Sequence, residues 1–278
     1  MNTTFIIQGP LTSDTLRSVK ICGKHGKVIV SCWNTDDPLL LQKVHDFNYC
    51  KVIINTLIKG KNYNFQNLSF QLESTFSALE ICDTEFAVKI RSDEYFTRLY
   101  PIIKSVEDHP RKISCCNFLF RKKLLFHPSD HMFGGTTENM KKMIKEAHIA
   151  CSSKEKNEKM TPSTFNLRQD YAPSVLPAEM LLCLSWLKVN NDDIALKSNT
   201  LTMQDFIKQY RELMKKRYAL VRLSDLGNFL VRFKTNNDIN GPTAFTCEKQ
   251  VLDFGVESIT SLDELDSASL KFPIAASY

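Results

Sequence analysis

The sequence predicts an α/β fold: a mostly parallel, Rossmann-like sheet flanked by helices, with a helical C-terminal part. Three observations carry this prediction. Short β-prone runs alternate with stretches of helical periodicity through the first half of the chain. The fourth of these runs is short and, Lys89 aside, apolar, as strands buried on both faces of a parallel sheet are. And two strand ends carry residues suited to binding a ligand, which in open α/β sheets docks beyond the carboxyl ends of the strands.

Taken in order, Thr4 to Ile7 is a strand that stops at Gln8-Gly9-Pro10. A helix follows from Ser13, where Thr12, Ser13 and Asp14 offer side-chain acceptors to its open amides. Val28 to Cys32 is a strand, Asp37 to Phe47 a short helix, and Lys51 to Asn55 a third strand. The spacing of Leu68, Leu72, Phe76 and Leu79 predicts a helix over Gln66 to Ile81. Phe86 to Ile90 is the fourth strand. Beyond it the pattern predicts a helix near Tyr100 to Glu107, strands near Lys112 to Phe120 and Lys123 to Phe126, and a helix over Thr137 to Ala150. Ser152 to Pro177 is polar, contains three prolines and reads as a long surface loop. Helices follow over Ala178 to Lys188 and Met203 to Tyr218, the second capped by Thr202. From Leu220 onward the pattern assigns no elements. The expected organisation is a single domain in two parts: an α/β core in residues 1–150, completed by the loop and helical region of residues 151–278.

With 43% hydrophobic and 24% charged residues, the chain has the composition of a folded globular protein. A net charge of +5 is spread along it, which suits an anionic small ligand or an anionic membrane surface and falls short of the concentrated basic face that nucleic acid requires. The longest apolar stretch, Met180 to Leu187, is interrupted by Ser185 and is too short to span a bilayer. The N-terminus has no basic-then-apolar signal. The nine cysteines form no C-x-x-C pair, which predicts reduced, buried thiols and no zinc site. These features lead us to expect a soluble, cytoplasmic protein able to touch the inner face of a membrane.

Four clusters carry candidate chemistry. In Gln8-Gly9-Pro10, glycine lets a ligand approach the backbone and proline fixes the turn; the same turn also has a purely structural reading. In Lys89-Ile90-Arg91-Ser92-Asp93-Glu94, Asp93 emerges where an apolar strand stops. A carboxylate there can hold a divalent cation against a diphosphate, cap a helix, or pair with Arg91. The run from His127 to Thr137 gathers two histidines, Asp130, and Gly134-Gly135, whose glycines read as a turn before a helix. Glu179 sits in the first turn of a helix opened by Pro177, where it suits the helix dipole or serves as an acceptor-side base.

The order of Ile6-Ile7-Gln8-Gly9-Pro10, Ile29-Val30-Ser31-Cys32-Trp33, Gln71-Leu72-Glu73-Ser74-Thr75, Lys89-Ile90-Arg91-Ser92-Asp93, Ser129-Asp130-His131-Met132-Phe133-Gly134 and Pro177-Ala178-Glu179 resembles the WavE-type lipopolysaccharide-synthesis family over about the first two-thirds of the chain. Those proteins look like glycosyltransferases of the GT-A fold. The resemblance implies that residues 1–150 bind a nucleotide sugar and that the later part faces the acceptor. It implies that Gln8, Gly9, Pro10, Arg91 and Ser92 border the nucleotide, that Asp93 is the ligand of a divalent metal (Mn2+ or Mg2+), that Ser129 and Asp130 line the sugar or acceptor side, and that Glu179 lies near the acceptor. Asp130 and Glu179 are the candidate catalytic carboxylates. Two departures stand out. Phe70 occupies the place of an arginine in the family pattern, and Arg91 stands where a second aspartate would precede Asp93.

The expected function is transfer of a sugar from a nucleotide-sugar donor to a glycan or lipopolysaccharide-type acceptor, with no nucleic-acid partner. The alternatives are a sugar-nucleotidyltransferase, which would want a richer glycine loop after the first strand, and a non-catalytic nucleotide- or glycan-binding relative.

Overall fold

A computed structural model describes residues 2–56, 68–120, 126–152, 178–192, 203–233, 243–246, 250 and 259–267, and the structural statements below concern these. The chain runs β1 (Thr3–Gln8), α1 (Ser13–Cys22), β2 (Lys27–Trp33), α2 (Pro38–His45), β3 (Cys50–Asn55), α3 (Leu68–Glu80), β4 (Phe86–Arg91), β5 (Tyr95–Phe96), α4 (Tyr100–Asp108), β6 (Ile113–Cys116), β7 (Met132–Thr136), α5 (Thr137–Ser152), α6 (Ala178–Val189), α7 (Met203–Arg217), β8 (Tyr218–Val221), β9 (Phe229–Phe233) and β10 (Thr243–Phe245).

Seven strands form one sheet in the order β3-β2-β1-β4-β7-β6-β8. β3, β2, β1 and β4 pair in parallel, and β6 pairs in parallel with β8. Only β7, wedged between β4 and β6, runs against the others. The expectation of a mostly parallel sheet holds, and its reason is visible in β1. All six of its residues are buried, so successive side chains serve two different cores. Ile6 joins Ile29, Leu72 and Leu79 on the α3 side. Phe5 and Ile7 join Val28, Val88 and Val106 on the face covered by α1 and α4.

The helices α1 to α7 fall where periodicity places them, within a few residues at each end. Asp37 caps α2 by accepting from the Leu39 amide at 2.8 Å. Three expectations need correction. The strand expected over Lys112 to Phe120 is confined to Ile113–Cys116: the Asn117 amide makes a last bond to the Val221 carbonyl at 3.0 Å, and its side chain accepts from the Leu223 amide at 2.7 Å. Gly134 and Gly135 lie inside β7, not in a turn. A Cβ on Gly134 would come within 2.7 Å of the Ala87 carbonyl oxygen, so the glycine is there to let β4 and β7 approach. Finally, the C-terminal part is not helical alone. β8 extends the main sheet, while β9 and β10 join β5 in a second, three-stranded sheet. These strands are short and pair across large sequence separations, which local periodicity does not register. The long loop read over Ser152 to Pro177, the Thr202 cap and most of the strand read at Lys123 to Phe126 lie outside the described residues, and Phe126 is in a turn.

Replacing Gly134 by alanine should lower unfolding free energy by about 1–3 kcal/mol through overpacking. A chemical denaturation midpoint equal to that of the parent chain would show that β4 and β7 can part without penalty.

Candidate functional site

The parallel pairing of β2, β1 and β4 brings their carboxyl ends to one edge of the sheet, and a cleft of about 400 Å³ opens there. Its middle is the turn after β1. Gly9 adopts φ +125°, a region that side-chain-bearing residues rarely enter. The turn is locked to the loop after β4. The Ser92 amide donates to the Gln8 carbonyl at 2.9 Å, and the Ser92 hydroxyl donates to the Pro10 carbonyl at 2.6 Å. The Thr15 hydroxyl donates in turn to the Ser92 carbonyl at 2.8 Å. A Cβ on Gly9 would meet the Ser92 Oγ at 2.7 Å, so beside Ser92 the turn has room only for glycine.

One side of the cleft is charged. Lys89 and Arg91 alternate along β4 and share its α3 face. Lys89 is fully buried, and its ammonium donates to the Asp130 carbonyl oxygen at 2.5 Å. Burial pushes the Lys89 pKa down, and the Asp130 carboxylate only partly opposes the shift. Arg91 grips Asp93 with two parallel bonds, Nε to Oδ1 and Nη2 to Oδ2, both 3.0 Å. Burial would raise the Asp93 pKa, but Arg91 outweighs it and holds the carboxyl below its usual range.

Asp130 is 8% exposed and accepts from Gln71 Nε2 at 2.9 Å. Desolvation raises its pKa, but Lys89, His131 and Arg91 together draw it well below the ordinary carboxylate value. Behind Asp130, the buried Glu94 receives His131 Nδ1 at 2.6 Å and the Arg232 amide at 3.1 Å. The Arg232 side chain also reaches the Asp93 carbonyl at 3.2 Å and Asp14 at 2.7 Å, so β9 braces the loop that carries Asp93 and Glu94.

The other side of the cleft is aromatic and polar. Trp33 and Phe70 pack edge to face with centroids 5.0 Å apart, next to Thr35 and Asp36.

The structure thus brings Gln8, Gly9, Pro10, Arg91, Ser92, Asp93 and Asp130 to one cavity, and it does not bring Glu179 there. Glu179 stands 3.6 Å from the buried His127 Nε2 and borders a second, smaller void, whose lining it shares with Ser129 and Asp130. Ser129 is also turned away from the cleft, its hydroxyl 3.3 Å from both Cys116 Sγ and the His131 amide. Residues to which the sequence reading gave no role in the site include Thr12, Thr35, Asp36 and Lys89. Lys89 had a usable signal, a charge in the middle of an otherwise apolar strand.

Arg91 engages both oxygens of Asp93, one bond to each. Among the described residues, no three His, Cys, Asp or Glu side chains gather as a cation site.

Because the folded-state pKa of Asp130 is depressed, its ionisation stabilises the fold above the unfolded value of about 3.9, and that stability is lost as pH falls through the folded value. Thermal unfolding followed from about pH 6 to about pH 2 should therefore show a shallower acid limb in Asp130→Asn than in the parent chain. Identical limbs would mean that the Lys89 and His131 fields do not act on this carboxylate.

No helix among the described residues is long and apolar enough to cross a membrane. Among solved structures, the chain is similar to HddC from Yersinia pseudotuberculosis complexed with GMP-PN, at 12% identity and a TM-score of 0.35, over 51% of this chain and 79% of that one. None of the curated proteins matches it. The family model described as WavE lipopolysaccharide synthesis matches residues 3–254, a span that contains every strand of both sheets. The chain belongs to the WavE lipopolysaccharide synthesis family.

Proposed function

We propose that this protein is a glycosyltransferase that moves a sugar from a nucleotide-sugar donor to a glycan or lipopolysaccharide-type acceptor. The observation that carries this reading is the convergence of Gln8-Gly9-Pro10, Arg91-Ser92-Asp93 and Asp130 on one cleft at the carboxyl ends of parallel strands. The family's role in lipopolysaccharide synthesis supports it.

Glycosyl transfer makes two demands. The departing diphosphate needs hydrogen-bond donors and positive charge, and the anomeric carbon, with its oxocarbenium-like character, needs a nearby anion and an acceptor hydroxyl. On the reading proposed here, Lys89 and Arg91 meet the first demand. Arg91 has five N–H donors, of which Asp93 takes two, and that double bond fixes the plane of the guanidinium. Lys89 gives one N–H to the Asp130 carbonyl and has two left. Such preorganised donors stabilise developing charge without reorganising during the reaction.

Asp130 meets the second demand. Lys89, His131 and Arg91 hold its carboxyl ionised, the form that a stabiliser of positive charge requires, and it lies on the wall of the cleft. The assignment of the acceptor-side base therefore rests on Asp130 rather than Glu179, and Asp93 acts by aligning Arg91.

The test is turnover of a panel of nucleotide sugars, read as release of the nucleoside diphosphate, with EDTA and with added Mn2+. One donor should be consumed, and EDTA should leave its rate unchanged. Lys89→Met and Arg91→Met should each lower turnover by about a hundredfold or more. Asp130→Asn should lower turnover far more than it weakens donor affinity. A panel with no donor consumed would refute the glycosyltransferase reading. Full loss of activity in EDTA, restored by Mn2+, would return Asp93 to the role of metal ligand.

A further inference from the structure

Behind the cleft lies a buried pair that does not line it. His131 stands at the entry to β7, and Glu94 lies in the loop between β4 and β5. His131 Nδ1 donates to Glu94 Oε1 at 2.6 Å, and the Phe118 ring meets the imidazole edge to face with centroids 4.6 Å apart. These contacts fix the imidazole and leave its other nitrogen, Nε2, 4.0 Å from Asp130 Oδ1.

Burying such a pair is costly, since two polar groups lose their water and apolar residues of the same size often hold a core as well. Nor is the Glu94 carboxylate fully used. His131, the Arg232 amide at 3.1 Å and Arg91 Nε at 3.6 Å all approach Oε1, while the buried Oε2 has no hydrogen-bond partner among the described residues. Stability alone does not account for this arrangement, whereas its place beside Asp130 does.

We propose that His131, held by Glu94, is a positioning residue for Asp130, fixing the carboxylate that faces the sugar during transfer. This assignment rests on the glycosyltransferase reading and extends it to a residue outside the cleft wall. Asp130 has two oxygens to be fixed. Gln71 Nε2 donates to Oδ2 at 2.9 Å, and His131 Nε2 faces Oδ1. Lys89 holds the carbonyl of the same residue at 2.5 Å. With α3 on one oxygen, His131 beside the other and β4 on the backbone, turning the carboxylate gives up one of these contacts. A separation of 4.0 Å is longer than a hydrogen bond, and contacts at such sites tighten when substrate is bound. The contacts also continue outward, because the Arg232 amide that meets Glu94 belongs to β9. The small second sheet thus reaches Asp130 through Glu94 and His131.

Two substitutions at position 131 separate this role from a structural one. Asparagine puts its amide nitrogen where Nδ1 lies, so it keeps the bond to Glu94 and offers nothing to Asp130. Glutamine reaches the place of Nε2, so it faces Asp130 and gives up Glu94. Turnover is read as release of nucleoside diphosphate from the donor that the parent chain consumes. His131→Asn should lower kcat about tenfold or more, with the donor KM within about twofold of the parent's. His131→Gln should recover most of that loss. In an Asp130→Asn chain, His131→Asn should cause no further loss, because a residue that acts through Asp130 is silent once that carboxylate is gone. Thermal-unfolding midpoints near that of the parent would show that the variants are folded. Should asparagine unfold the chain, glutamine decides alone: a kcat near the parent's upholds the role, and a loss of about tenfold ends it.

The reverse order, in which asparagine retains turnover and glutamine loses it, would assign His131 to holding Glu94 and overturn the inference. Equal rates in the two variants, or a further loss on adding His131→Asn to Asp130→Asn, would overturn it as well. Each of these results leaves the glycosyltransferase reading standing. Where Asp130→Asn has no measurable rate, the order of the two position-131 variants decides. A parent chain that consumes no donor would overturn both readings.

Discussion

Two cations on one face of β4, Lys89 and Arg91, are the constraint around which the site is arranged. A charge removed from water is tolerated only when other groups surround and compensate it. Lys89 is fully buried in the sheet, so it draws the Asp130 carbonyl to its ammonium and holds the Asp130 carboxylate in its field. Arg91 draws Asp93 into a two-bond grip and has Glu94 3.6 Å from its Nε. Each of these acids is then placed by further partners: Gln71 on Asp130, and His131 and the Arg232 amide on Glu94. The polar network is thus a consequence of putting charge inside a parallel sheet.

The network also explains why residues from the end of the described chain matter at its beginning. Arg232, on β9, touches Asp14 of α1, the Asp93 carbonyl and, through its main-chain amide, Glu94. Arg17 of the same helix lies 3.9 Å from the centroid of the Tyr95 ring, on the strand that pairs with β9. The small second sheet therefore clamps the loop after β4. Ser92 clamps it from within by its bonds to the β1 turn. A loop fixed at several points presents Arg91 and Asp93 with little freedom, the condition under which oriented hydrogen-bond donors are most effective.

Glu179 and Asp130 show how far a local reading of carboxylates carries. Both were candidates because an acid near a helix start or a glycine pair has functional uses. In three dimensions, Asp130 meets the cleft and Glu179 meets His127. Nothing in the spacing of either residue separates these outcomes. The difference arises from which neighbours the packing of α6 against α5 brings close, and both helices read the same in sequence whichever face turns inward.

The sequence by itself determined the alternation of strands and helices up to β4, the mostly parallel character of the sheet, and the two strand ends that border the cleft. These follow from local chemistry: apolar runs of strand length, 3.6-residue periodicity, and a glycine-proline turn where backbone must bend. Tertiary structure alone decided that Gly134 and Gly135 belong to a strand, since their smallness answers to the Ala87 carbonyl and the Ile113 side chain across the sheet. It decided that the C-terminal strands complete one sheet and build another, because β8 and β9 find partners about a hundred residues or more away in sequence. It also decided that Asp93 faces an arginine rather than open space. Local patterns record the conformation each segment prefers; which charges end up paired depends on the distances that only the folded sheet sets.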